Sequence, residues 1–250
     1  MKALQFLAYL FCVVPTAAGF DTGHHRDLTW SALRAEGFGE GPTNIAIMAN
    51  WLPDYYAAIP RVDFPLTEAS KRLHFDNLNN APEVEHYWSR LAQNTKIAVQ
   101  VAAAQKYSGP TDPFAVLEIL GTTLHAVQDF YAHSNWNELL PKPPESYSGT
   151  TWWNYVDAKN GSEGIQIYTG YYKSGPSNGK PPKTHDELNK DHYGRPHWDE
   201  AYVFAYVASR QWIRFVKQWV DRVDPTLWRS VQDLDLGNQF EFRGLSISLS

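Results

Sequence analysis

Apolar side chains recur with a helical period along most of the chain. The clearest apolar face lies within residues 199–220 and consists of Ala201, Phe204, Ala205, Ala208, Trp212, Phe215, Val216 and Trp219. Spacings of three and four residues place side chains on one side of an α-helix. The same period predicts four more helices, over residues 28–35, 43–56, 83–107 and 114–136. Pro82 and Pro113 stand where a helix start tolerates proline. The pattern predicts an all-α fold.

Residues 141–184 interrupt this pattern. The stretch is rich in proline, glycine, serine and aromatic residues, including Trp152 beside Trp153 and Tyr171 beside Tyr172. Loops of this length in a compact domain are usually functional or ordered by their own side chains. No internal repeat or second domain is evident, so the sequence predicts a single-domain helical bundle with one long loop.

Residues 1–19 have the layout of a secretory signal peptide. Lys2 supplies the basic start, Leu4 to Val14 are almost entirely apolar, and small residues follow. Cleavage before Gly19 or before Phe20 fits this segment, and we favour Phe20. No later segment approaches the ~18 continuous apolar residues of a spanning helix. We therefore expect a secreted domain over residues 20–250 without a transmembrane anchor.

Composition narrows the possible functions. The 250 residues are 43% hydrophobic with a net charge of −5, which excludes a disordered tail and a strongly basic nucleic-acid binder. The single cysteine, Cys12, lies in the predicted signal peptide. The mature chain therefore has no disulfide, no thiolate nucleophile and no cysteine-ligated zinc. A secreted domain of this kind needs a good core, a bound metal, or both.

The strongest chemical signal is the spacing of His125, Asp129 and His133 at positions i, i+4 and i+8. These positions drift only about 80° around a helix axis, so the three side chains project from one stripe. A divalent metal needs nitrogen and carboxylate donors within about 2.0–2.2 Å, which this spacing can supply. The alternative is a polar helix edge with hydrogen-bonded histidines, and three ligand-type residues in register favour the metal.

Other candidate ligands are isolated in the sequence. His24 and His25 lie near the predicted mature N-terminus, Asp54 lies in an aromatic setting, and His74 lies between apolar neighbours. Each alone is more typical of a helix cap, a surface residue or a hydrogen-bonded core residue. His86 and His192 are assigned to that structural class.

The order of these residues resembles the zinc-dependent phospholipase C and single-strand nuclease superfamily. The residues that carry the resemblance are His25, Asp54, His74, His125, Asp129 and His133. Residues 125–136, followed later by residues 188–191, are most similar to the heterokaryon-incompatibility-C-type branch. The resemblance extends over about residues 20–220 and implies an all-helical fold around three zinc ions.

The resemblance also implies ligand sets. One zinc would be held by Asp54, His74, His125 and Asp129. A second would be held by the amine and carbonyl of Phe20, by His25 and by a bridging Asp129. His25 is preferred to His24 because residues 25–29 resemble the opening segment of the family.

The third zinc would be held by His133 with a later histidine and carboxylate. The family places these two residues four apart, but the residue four after His185 is Asn189, a poor ligand. His185 with Asp191 is the first choice. His197 with Glu200, which share a helix face at i and i+3, is the alternative. A centre with only two ions stays open as well.

The activity implied by the resemblance is that of a secreted, phospholipase C-like phosphodiester hydrolase. Zinc would activate a water, and Asp54 would hold or deprotonate it. The substrate would be a phospholipid head group or single-stranded nucleic acid, the latter in a nuclease of the same superfamily. A non-catalytic secreted interaction protein with zinc as a structural ion is a third hypothesis. Trp152 and Trp153 suggest a peripheral membrane contact or a loop packed on itself.

Overall fold

The computed structural model describes residues 22–58, 73–104, 112–140, 151–159, 161–171, 182–235, 239–242 and 245–248. The predicted signal peptide and Phe20 lie outside these residues. In the described residues the protein is all-α, with one short hairpin near the C-terminus. None of the helices in these ranges is long and apolar enough to cross a bilayer.

The five long helices predicted from periodicity are confirmed, and short elements join them. The helices are α1 (Thr22–Ala35), α2 (Glu40–Ala58), α3 (Ala81–Ala104), α4 (Pro113–His133), α5 (Trp136–Leu139), α6 (Trp152–Lys159), α7 (His185–Leu188), α8 (Trp198–Asp221) and α9 (Leu227–Gln232). The antiparallel hairpin pairs β1 (Gln239–Phe242) with β2 (Leu245–Ser248).

Helix α4 forms the centre of the bundle and packs against α1, α2, α3 and α8. It begins with Asp112, whose side chain accepts a hydrogen bond from the backbone N–H of Ala115, and with Pro113 in its first turn. Both features are typical of helix starts. Its last fourteen residues are almost all buried, so the polar side chains in this stretch must find partners inside the protein.

A close approach between α2 and α4 sets the spacing of the bundle. A Cβ atom on Gly121 would lie 2.1 Å from the carbonyl oxygen of Ala46 and 2.8 Å from the Cβ of Ala49. Only glycine therefore fits this crossing. Pro53 lies inside α2 and cannot donate to the carbonyl of Ala49. That carbonyl instead accepts a hydrogen bond from the Thr122 hydroxyl at 3.4 Å.

The end of α4 differs from the sequence prediction. The periodicity predicts a helix that continues to residue 136, but α4 ends at His133 because Ser134 adopts an extended backbone. The segment that contains Tyr168 and Gly170 then pairs with this end. The N–H of Gly170 donates to the carbonyl of His133 at 2.8 Å, and the N–H of Asn135 donates to that of Tyr168 at 3.1 Å. These tertiary bonds replace the next helical turn.

The expectation that residues 141–184 lack a helix is wrong, because residues 152–159 form α6. Trp152 is only 2% exposed, and Trp153 packs against Trp88 and stacks on Trp212 with ring centroids 5.5 Å apart. Burial against the bundle overrides the weak local helical signal. Trp152 belongs to the main hydrophobic core and Trp153 packs against it; the peripheral membrane contact stays a prediction.

Candidate metal centre

The first cluster brings together Asp54 from α2, His74 from the turn before α3, and His125 and Asp129 from α4. Asp129 Oδ2 lies 2.8 Å from His74 Nδ1 and 3.1 Å from His125 Nε2, and these two nitrogens are 3.1 Å apart. Asp54 Oδ1 lies 4.0 Å from His74 Nδ1 and 3.7 Å from His125 Nε2. Ligand atoms of a tetrahedral zinc are roughly 3.3–3.5 Å apart for bonds of about 2.0–2.1 Å. The measured distances lie on both sides of that value.

The carboxylate of Asp54 is a buried charge within this cluster. The residue is 4% exposed, and neither of its carboxylate oxygens has a hydrogen-bond partner among the described residues. A buried carboxylate without such partners is costly unless a cation or a proton offsets its charge. The site therefore suits a bound cation.

Asp129 also faces His25 from α1. Its Oδ1 atom lies 3.0 Å from His25 Nε2, whereas Oδ2 is directed at His74 and His125. The ring of His25 stacks on that of His125 with centroids 4.2 Å apart. A carboxylate with its two oxygens directed at different ligand sets can bridge two ions. The amine of Phe20, expected at the second ion, lies outside the described residues.

A further cluster contains Asp76, His133 and His185, each of which offers an atom within 4.8 Å of the others. Asp76 Oδ1 lies 3.0 Å from His185 Nδ1 and 3.8 Å from His133 Nδ1. Asp191 Oδ1 lies on another side, 3.3 Å from His133 Nε2. The structure thus brings both His185 and Asp191 to His133, and it adds Asp76.

Asp76 is the residue that sequence reasoning missed. It follows His74 by two positions, which is a weak signal by itself. The backbone of Phe75 and Asn77 is left-handed, with φ angles of 54° and 64°, and Phe75 is fully buried. This unusual turn directs His74 to the first cluster and Asp76 to the other. A left-handed phenylalanine cannot be anticipated from local preference.

The alternative pair for the third ion is found elsewhere in the described residues. His197 Nδ1 lies 3.7 Å from Glu200 Oε1, with side chains 39% and 26% exposed, and the pair joins none of the described metal-competent groups. His24 packs against Trp198 and Tyr202, while His86 and His192 are exposed. Of His24 and His25, only His25 belongs to a metal-competent group of the described residues.

Several backbone contacts hold His185 beside His133. Thr184 and Glu187 form a capping box at the start of α7, which satisfies the first backbone donors of that helix. A Cβ atom on Gly170 would lie 2.6 Å from the Cα of His185, so glycine allows the two backbones to touch. The capping box and the close approach of Gly170 therefore fix the backbone position of His185.

Lys190 fastens the same segment to the end of α4. It is 1% exposed, and its ammonium group donates to the carbonyl oxygens of Ser134 at 2.9 Å and Leu188 at 2.7 Å. Burial lowers the pKa of Lys190 to about 8. The hydrogen bonds position the segment that contains His185 and Asp191.

The protonation of the clusters follows from burial and from opposite charges. Burial opposes ionisation of Asp129, but His125, His133 and His25 lower its pKa well below the usual range. Burial also opposes protonation of His133, yet Asp129, Asp191 and Asp76 raise its pKa to about 10.

The remaining histidines of the first cluster do not shift together. Burial opposes protonation of His25 and His74, but the charges of Asp129 and Asp54 and the hydrogen bonds to Asp129 outweigh it and raise both pKa values. Burial lowers the pKa of His125, and Asp129 offsets this only in part. Without a metal, protons on the histidines balance the buried carboxylates, and a bound metal must displace those protons.

These features define an all-α protein in which buried histidine and aspartate side chains of the described residues form three groups able to hold metal ions. Residues 63–148, about a third of the chain, match the family model described as the VWA7 N-terminal domain. The candidate ligands inside the match are His74, Asp76, His125, Asp129 and His133. No curated protein and no solved structure matches the chain. The resemblance to the zinc-dependent phospholipase C and nuclease superfamily stays a prediction from the sequence.

Proposed function

We propose that the protein is a secreted, zinc-dependent phosphodiester hydrolase of the phospholipase C type, with water as the nucleophile. The observation that carries the proposal is the position of Asp129. One of its oxygens faces His25, and the other faces His74 and His125. Two ions held on one carboxylate suit phosphodiester cleavage, because paired metals stabilise the attacking and the leaving oxygens.

The first ion would be held by Asp54, His74, His125 and Asp129, and the second by His25 with Asp129. When bound, zinc lowers the pKa of a coordinated water and offsets phosphoryl charge. Asp54 would hold the attacking water or accept its proton. Its Oδ1 lies nearest the histidines, and its Oδ2 has no hydrogen bond among the described residues.

The substrate of this proposal is a phospholipid head group. Single-stranded nucleic acid is the alternative, and the net charge of −5 makes it the less favoured of the two. Neither substrate requires a protein nucleophile, which agrees with a mature chain that lacks cysteine.

A second candidate function is favoured by the depth of the clusters. His25, His125, Asp129 and His133 are all 0% exposed. Structural zinc sites are closed in this way, whereas catalytic sites keep an open coordination position. In this alternative the ions stabilise the fold of a non-catalytic secreted protein.

An assay of substrate cleavage distinguishes the hydrolase from the non-catalytic protein with structural zinc. The chain beginning at Phe20 is loaded with zinc and assayed against a phosphocholine ester and single-stranded DNA, with chelator and with zinc added back. We expect zinc-dependent cleavage of the ester, reduced about 10²–10⁴-fold in Asp54→Asn. Asp157→Asn, at an exposed carboxylate on α6, is the matched control and should retain full activity.

Each other outcome has a distinct meaning. Cleavage of DNA but not of the ester would move the function to the nuclease. A zinc-loaded protein that cleaves neither substrate would contradict the hydrolase proposal and favour the structural role.

A further inference from the structure

A buried amide touches His25 on the side of the ring that faces away from Asp129. Gln128 is 0% exposed, and its Oε1 atom lies 2.6 Å from His25 Nδ1. The other ring nitrogen, Nε2, lies 3.0 Å from Asp129 Oδ1. His25 therefore has an amide at one edge and a candidate bridging carboxylate at the other.

The orientation of this amide is set by its other contacts. Gln128 Nε2 donates to the hydroxyl oxygens of Thr29 at 3.1 Å and Ser209 at 3.2 Å. Asn50 Nδ2 donates to Gln128 Oε1 at 3.2 Å and to Thr29 Oγ1 at 3.1 Å. If the Gln128 amide were reversed, its NH₂ group would face the NH₂ group of Asn50, donor against donor. With Asn50 oriented as in this structure, Oε1 therefore faces both Asn50 and His25.

This orientation determines which nitrogen of His25 carries the proton. An amide oxygen only accepts hydrogen bonds, so the short contact to His25 is a hydrogen bond only when Nδ1 is protonated. The lone pair of the neutral ring is then on Nε2, which faces Asp129. Histidine ligands of metals commonly donate their second N–H to such an acceptor, which fixes the ring and its tautomer.

We infer that Gln128 is a positioning residue that holds His25 in the Nδ1–H form and thereby presents Nε2 to a metal ion. The inference rests on the proposed function, since it assumes an ion held by His25 and Asp129. Gln128 does not itself touch the ion or the substrate.

The network holds the ring independently of a metal. His25 and Thr29 belong to α1, Asn50 to α2, Gln128 to α4 and Ser209 to α8. Four helices thus fix one amide, and the amide fixes the ring. Because Gln128 is neutral, it supplies an acceptor without adding another negative charge to a buried region that already contains Asp54 and Asp129.

Three variants test the role of the acceptor. Gln128→Met keeps a similar length but removes the acceptor, Gln128→Glu keeps an acceptor oxygen, and Ser209→Ala removes a contact on the far side of the amide. Zinc stoichiometry and affinity are measured by competition with a chelator. We expect Gln128→Met to weaken one zinc equivalent by about 10–100-fold. Gln128→Glu and Ser209→Ala should stay within a few-fold of the unaltered protein.

A spectroscopic measurement tests the tautomer in the unaltered protein. In the zinc-loaded chain with ¹⁵N-labelled histidine, we expect His25 to show a protonated Nδ1 and a metal-bound Nε2. Binding through Nδ1 would overturn the inference without reference to any variant.

The affinity data have equally definite outcomes. Unchanged affinity in Gln128→Met, or equal losses in Gln128→Met and Gln128→Glu, would show that the acceptor is not what matters and would overturn the inference alone. If the unaltered protein binds no zinc, the proposed function fails and the inference fails with it.

Discussion

Asp129 influences the protonation of the histidines that surround it in the candidate metal centre. It is fully buried, and it raises the pKa values of His25, His74 and His133 against the effect of burial. We therefore expect Asp129 to stabilise the metal-free fold as well as to bind a metal. Removing one partner of a buried charge pair leaves the others without compensation.

Asp129→Asn should therefore destabilise the protein even when metal is absent. We expect a loss of about 3–5 kcal/mol in the free energy of unfolding, together with loss of bound zinc. Denaturant unfolding with and without EDTA measures both effects, and Asp157→Asn is the exposed control. An unchanged midpoint in metal-free Asp129→Asn would show that the residue acts only through a metal.

The residues around Asp129 show how far a sequence predicts a site. Helix geometry places His125, Asp129 and His133 on one stripe, but only His125 and Asp129 share a metal-competent group, and His133 joins a different one. His25, Asp54 and His74 were named from a resemblance, and the structure brings them to the same centre. The tertiary contacts of Asp76 depend on a left-handed turn and could not be deduced.

A further prediction concerns which carboxylate holds a metal ion in the cluster of Asp76, His133 and His185. Asp76 is grouped with both His133 and His185, whereas Asp191 lies beside His133 and joins none of the metal-competent groups in the described part of the chain. Asp76→Asn should therefore lower zinc content by about one equivalent, and Asp191→Asn should have a smaller effect. Metal analysis of the purified proteins measures this, with His197→Ala as the control that keeps its zinc. A larger loss in Asp191→Asn would assign the ligand to Asp191.

At the scale of elements, the crossing of α2 and α4 controls the distance between Asp54 and His125. Gly121 is one helical turn before His125, and Asp54 is near the end of α2. The long helices were predictable because each has an apolar face of helical period. The closeness of two of them was not, because it depends on the absence of one side chain at Gly121.

Gly121→Ala should push the two helices apart. The added methyl group would overlap the carbonyl of Ala46, and overpacking of a core typically costs about 1–3 kcal/mol. The midpoint of thermal unfolding and the zinc affinity should both fall, because Asp54 moves away from His74 and His125. Gly23→Ala is the matched control, since a Cβ there meets no atom within 4 Å. Equal zinc affinity in Gly121→Ala and the unaltered protein would separate the helix crossing from the metal centre.

At the scale of the whole molecule, protons and metal ions stabilise the same fold in opposite pH ranges. The pKa of His133 is raised to about 10 from a usual 6.5. Its contribution to metal-free stability is therefore complete below pH 6.5 and is lost as the pH rises towards 10. His25 and His74 shift in the same direction. Metal binding requires the neutral rings and is favoured as the pH rises.

The stabilisation by zinc should accordingly increase with pH. We expect the difference between the thermal midpoints of zinc-loaded and metal-free protein to widen from pH 6.5 to 9. Differential scanning calorimetry in matched buffers measures it, and calorimetric titration in buffers of different ionisation heat measures the protons released. A difference that is constant over this range would contradict the coupling of histidine protonation to metal binding.

The reactivity of the buried Lys190 amine reports whether the segment that contains His185 and Asp191 is closed. An acylating reagent modifies an amine only when it can reach it, and Lys190 is 1% exposed whereas the Lys183 side chain is 40% exposed. Modification of Lys190 should therefore proceed only when the segment that contains His185 and Asp191 opens, with Lys183 as the internal reference. Zinc should slow the labelling of Lys190 and leave that of Lys183 unchanged, as mass spectrometry of the digested protein can show. Labelling of both lysines at one rate would mean that this segment opens freely. The labelling rate of Lys190 thus measures how often this segment opens locally.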